Sequence, residues 1–143
     1  MFYLDRIHTS VFGARVNAES AAEGIREYKK LELARYLKPV EQDTVTGSTR
    51  KKGCPVLFTI GDSTVRNQYK DENGQWGWGS VIAELFDLIR ISVENCAKAG
   101  RSARTYLEEG RWDKVYKALQ PGDFVMIQFG HNDAGAINTG KAR

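Results

Sequence analysis

Two short polar runs carry residues able to do chemistry: Gly61-Asp62-Ser63-Thr64 and Gly130-His131-Asn132-Asp133. Each follows an apolar stretch that reads as a buried strand. Ligands of open α/β sheets bind at the carboxyl ends of the strands. Acyl transfer needs a nucleophile, donors for the developing oxyanion and a base for the nucleophile's proton. Ser63, on a tight turn after Gly61-Asp62, fits the nucleophile, and its own N–H is a first donor. Gly100 lies in the loop Asn95–Ser102; lacking a Cβ, it lets its N–H approach a substrate oxygen closely. The side-chain amide of Asn132 offers a third donor. Taken singly, these residues have plainer readings as turn formers and caps. Their ordered appearance after three successive strands is what points to one site.

The elements that must position them are legible as alternating patterns. Pro55–Ile60 is a short apolar run ending at a glycine, as a central parallel strand does. Ser80–Leu88 reads as a helix burying Val81, Ile82, Leu85 and Phe86, and Arg90–Glu94 as a second strand. Thr105–Leu119 contains a helix presenting Trp112, Val115, Tyr116 and Leu119. Pro121-Gly122 turns the chain into a third strand, Asp123–Gln128. Strand–helix–strand–helix–strand implies right-handed crossovers and a parallel sheet. Upstream, Asn17–Leu37 reads as an amphipathic helix, with a capping box at Ser20-Ala21-Ala22-Glu23 and a stop at Pro39. Residues 40–53 read as a polar linker. The expected division is a helix and linker over 1–54, then an α/β unit over 55–143.

Together, Gly61-Asp62-Ser63, Gly100 and Gly130-His131-Asn132-Asp133 resemble the first three blocks of the SGNH (GDSL-type) hydrolases. Gln75-Trp76-Gly77-Trp78-Gly79, Asn95-Cys96-Ala97 and Gln128-Phe129 are similar to the rhamnogalacturonan acetylesterase branch. The resemblance covers roughly residues 55–140. It implies a three-layer α/β/α flavodoxin-like parallel sheet, here incomplete with about three strands, plus an extra N-terminal helix. It also implies Ser63 as nucleophile, and Ser63 N–H, Gly100 N–H and the Asn132 amide as oxyanion hole. The substrate implied is an acetylated pectin-type polysaccharide, with neither metal nor organic cofactor. The family's base is a histidine three residues after an aspartate. The histidines here, His8 and His131, stand in no such pair, so the expectation is an inactive part of an esterase. The alternative is a non-catalytic sugar-binding module or pseudoenzyme. Trp76 and Trp78 are expected either to stack on sugar rings or to pack in the core. Arg101 is expected either to meet an acidic galacturonate backbone or to be solvated.

Composition sets the outer bounds. The 143 residues are 41% apolar and 27% charged, an ordinary balance for a folded domain. A formal net charge of +3 gives no footing for nucleic-acid binding. Arg50-Lys51-Lys52 reads as a solvated linker, with a phosphate-binding patch as the lesser alternative. Cys54 and Cys96 are too few for a zinc site and read as free thiols, or as one bridge in an oxidising compartment. Met1–Ser10 lacks the apolar core of an export signal, although such esterases are commonly exported. No window approaches a membrane span.

Overall fold

The computed structural model describes residues 9–28, 30–38, 50–66 and 75–134. His8, most of the linker and the loop at Asp71–Gly74 lie outside them. Three strands, β1 (Val56–Gly61), β2 (Ser92–Asn95) and β3 (Phe124–Gln128), form one sheet in the order β2-β1-β3. Both pairings are parallel, with Leu57 opposite Val93 on one side and Phe124 on the other. All six residues of β1 are buried, as expected where both faces of a central strand are covered. Its side chains alternate accordingly: Leu57 joins one core cluster, and Val56, Phe58 and Ile60 the other.

The first cluster lies under α1 (Val11–Glu27) and two 3-10 turns, Trp78–Ser80 and Ile82–Leu85. α1 starts six residues before the expected Asn17, because Ser10 is the N-cap and its Oγ accepts the Gly13 N–H. Ser20, expected at a cap, is instead an exposed residue inside the helix. Ala14, Ala18, Ala22 and Ile25 form the buried stripe, and small side chains at this spacing allow close backbone approach. The helix ends at Tyr28; a separate 3-10 turn, Glu32–Tyr36, carries the buried Leu33. The helix expected over 80–88 is the pair of 3-10 turns, which nonetheless bury Val81, Ile82 and Phe86.

The other face is covered by α2 (Ala103–Glu108) and α3 (Arg111–Ala118). A single helix was the expectation here; Gly110, at φ +64°, breaks it. Val115 is buried and Trp112 packs partly against the cluster, but Tyr116 is 66% exposed and is not the core residue expected. Helices on both faces of a parallel sheet give the three-layer α/β/α arrangement that the sequence pattern implies.

Within the basic run at 50–52, Arg50 and Lys51 form a clamp rather than part of a solvated linker, while Lys52 is exposed. The Arg50 guanidinium donates to both Asp123 carboxylate oxygens, at 3.2 and 2.5 Å, and to the Ala118 carbonyl at 3.0 Å. Asp123, its side chain 1% exposed, also accepts the Val56 N–H at 2.8 Å and the Gln120 N–H at 2.8 Å. Arg50 N–H reaches Glu94 Oε1, and Lys51 Nζ donates to the Leu88 carbonyl. The amino-terminal side of the sheet is therefore tied together by side chains. Cys54 and Cys96 are free and half-buried.

Candidate active site

The site forms at the opposite, carboxyl end. Beyond β1, Asp62 is 1% exposed and its Oδ1 accepts both the Thr64 N–H (2.9 Å) and the Thr64 hydroxyl (2.8 Å). This Asx turn, continued by Val65 and Arg66 N–H bonds to the Asp62 carbonyl, sets half-buried Ser63 at the bend. Gly61 must be small: a Cβ there would lie 2.2 Å from the Gln128 carbonyl oxygen and 2.6 Å from Val65 Cγ2.

Hydrogen bonds join the three strand-end loops in sequence. Lys98 N–H donates to the Gly61 carbonyl at 2.9 Å, holding the loop after β2 against the Ser63 turn. Gly100, at φ +73°, adopts in that loop a conformation a side chain disfavours. Asn132 Nδ2 donates to the Arg101 carbonyl at 3.3 Å, and Asp133 Oδ1 accepts the Ala103 N–H at 2.9 Å. The second bond sits at the start of α2, where Ser102 and Thr105 complete a capping box. The structure thus places Ser63, Gly100 and Asn132 on three loops, the middle one bonded to each of the others. A carboxamide has two N–H groups, so the Arg101 contact leaves Asn132 a second donor.

Trp78 is 6% exposed, and its indole N–H donates to Gln128 Oε1 at 2.6 Å. It is a buried wall, with too little free surface for a stacking platform; of its two expected roles, core packing is the one seen. Trp76 is half-buried against the same cluster, and its backbone pairs with Thr9. The Arg101 guanidinium, 32% exposed, is engaged by Glu109 (Nε–Oε1 3.0 Å) and the Ala99 carbonyl (3.1 Å). Hydrogen bonds from Arg111, and then from Arg101, hold the Glu109 carboxyl below its ordinary range. His131 is exposed.

Sequence reasoning missed the partnership of Thr64 and Gln128. Gln128 Nε2 donates to Thr64 Oγ1 at 3.1 Å across the β1 and β3 tips. Both residues border a cleft of about 680 Å³ between α1 and the end of β3, whose other polar walls are Thr9, Asn17 and Ser20. Finding this link needs the register that sets Gly61 opposite Gln128, which the motif spacing does not contain. Among the described residues, no group of His, Cys, Asp and Glu is placed to hold a metal ion.

With this geometry in hand, comparison with known proteins is decisive at the family level. The family model of GDSL-like lipase/acylhydrolases matches residues 57–143. The chain belongs to that family. It is 39% identical over 87 residues to a rhamnogalacturonan acetylesterase of Emericella nidulans, covering 61% of this chain and 32% of that protein. It is 42% identical over 77 residues to rhamnogalacturonan acetylesterase RhgT of Bacillus subtilis, covering 54% and 33%. The crystal structure of Bacillus subtilis YxiM superposes with a TM-score of 0.54 at 34% identity, over 57% of this chain and 23% of that one. The chain therefore spans about a third of the length of the GDSL relatives it matches. The match begins at Leu57, within β1, so α1 and Arg50 lie outside it.

Proposed function

We propose that this chain belongs to a carbohydrate acetylesterase that removes acetyl groups from pectin-type polysaccharide through a serine acyl-enzyme. The observation carrying this reading is the bonding of the three strand-end loops, Gly61 O to Lys98 N–H and Arg101 O to Asn132, around Ser63. In the reaction, Ser63 Oγ attacks the acetyl carbonyl while a base removes its proton. The carbonyl oxygen becomes an oxyanion facing Ser63 N–H, Gly100 N–H and the Asn132 amide. Collapse expels the sugar hydroxyl, and water then releases acetate. This chain supplies the nucleophile and anion-binding side of that machinery. The relatives named as rhamnogalacturonan acetylesterases support the substrate class. Burial of Trp78 weighs against a sugar-binding module built on that ring.

The test is acetate release from acetylated pectin and from p-nitrophenyl acetate, by this chain and by a form extended at its C-terminus. Turnover by the extended form, abolished by Ser63→Ala, is the expected result. An inert extended form, or one indifferent to Ser63→Ala, refutes the reading.

A further inference from the structure

We propose that Gln128 is a positioning residue, whose carboxamide bridges the Ser63 turn to β3 and to the buried Trp78; this rests on Ser63 being the nucleophile. Donor chemistry fixes the direction of every bond in the bridge. An indole N–H only donates, so Gln128 presents its oxygen to Trp78 (2.6 Å) and its NH₂ to Thr64 Oγ1 (3.1 Å). Thr64 Oγ1, accepting there, directs its own hydrogen to Asp62 Oδ1 at 2.8 Å. The chain of bonds thus runs Trp78, Gln128, Thr64, Asp62 and ends on a carboxylate. Asp62 and Thr64 flank Ser63 on either side.

Without Gln128, the Asp62–Thr64 bonds are local and span two residues. With it, they are tied to the strand that leads directly into the Asn132 loop. Thr64 is also held by its carbonyl, which accepts the Trp78 backbone N–H at 3.0 Å. Beyond the backbone ladder that sets Gly61 opposite Gln128, one side chain therefore ties the nucleophile's turn to the strand that carries the anion-stabilising amide's loop. Linked hydrogen bonds of this kind polarise one another and act as a unit.

Hydrogen exchange measured by NMR on the ¹⁵N-labelled chain tests the bridge. Gln128→Met, which keeps the length and loses both bonds, is expected to speed exchange about tenfold at the Trp78 indole and at the Arg66 amide, which donates to the Asp62 carbonyl within the Ser63 turn. Amides of residues 56–60 are expected to keep their rates. Gln128→Glu keeps an acceptor for Trp78 and loses the donor, so only the Arg66 amide accelerates. Thr64→Val acts like Gln128→Met at the Arg66 amide, the two together do no more than either alone, and Thr64→Ser preserves the wild-type rate. An unchanged Arg66 amide in Gln128→Met, or additive effects in the double variant, overturns the bridge. Ester turnover insensitive to Ser63→Ala refutes the nucleophile instead, and the exchange pattern distinguishes that failure from the bridge's own.

Discussion

At the scale of single residues, Ser63 stands at a bend whose neighbours, Asp62 and Thr64, are held by hydrogen bonds. Asp62 is buried because its carboxylate organises the turn, and Asn132 retains a donor after bonding Arg101. Replacing Asn132 by Ala in a form that turns over acetyl esters is expected to lower kcat about 100–1000-fold, the usual cost of one oxyanion donor. Steady-state kinetics on p-nitrophenyl acetate measure this, and a loss below tenfold would argue against the role. Ser63, Gly100 and Asn132 could be picked as candidates because each stands on a loop after an apolar run, in a residue type suited to the task proposed for it. The roles of Trp78 and Arg101 were not, because an indole beside glycines and an arginine in a loop look the same in sequence whether open or engaged. Their partners, Gln128 at 50 residues' distance and Glu109 at eight, come from the fold.

Among the elements, the strands were the most legible, since short apolar β-branched runs between turn residues fit little else. The start of α1 was obscured because its buried stripe is mostly alanine, which barely registers as apolar periodicity. The break at Gly110 had a visible signal, a glycine inside a helical pattern. The two 3-10 turns over 78–85 had none, since their burial pattern imitates a helix. The α2 layer has its own chemical anchor: the Tyr106 hydroxyl donates to the Cys96 carbonyl at 2.8 Å. Burial, and then the neighbouring Cys96, push its phenol up to about 12 from 10.0. The raised value means that its contribution is fully present below pH 10 and is lost as pH rises through about 12. Tyr106→Phe is expected to cost about 1 kcal/mol at neutral pH and to blunt the fall in stability above pH 10. Urea unfolding at pH 7 and pH 11 checks both.

On the scale of the whole molecule, the two ends of the sheet differ: side-chain clamping at the amino-terminal end, and the linked loops of the candidate site at the other. Burial alone would push the Asp123 carboxyl up, but the Arg50 guanidinium and the Val56 and Gln120 N–H groups hold it below its ordinary value. Its stabilising effect is therefore present above the unfolded value near 4 and is lost as pH falls through the lower folded one. Asp123→Ala is expected to cost about 2–3 kcal/mol, because it leaves the Val56 and Gln120 N–H groups without their acceptor and removes the Arg50 pair. The urea midpoint should fall with an unchanged slope; a shift worth under about 1 kcal/mol would make the clamp incidental. The acid limb of the stability curve should also flatten in the variant.

The layer under α1 bears on where this protein can be cut. Likeness to relatives begins at Leu57, yet Ala14, Ala18, Ala22, Ile25 and Leu33 share one core cluster with Leu57, Ile82 and Phe86. A piece trimmed to the homologous stretch would bare an oily sheet face to solvent and would bind hydrophobic dyes or precipitate. The stretch matched by the family model and the packed core therefore have different borders, and the core reaches well upstream of the match, to Ala14 in α1.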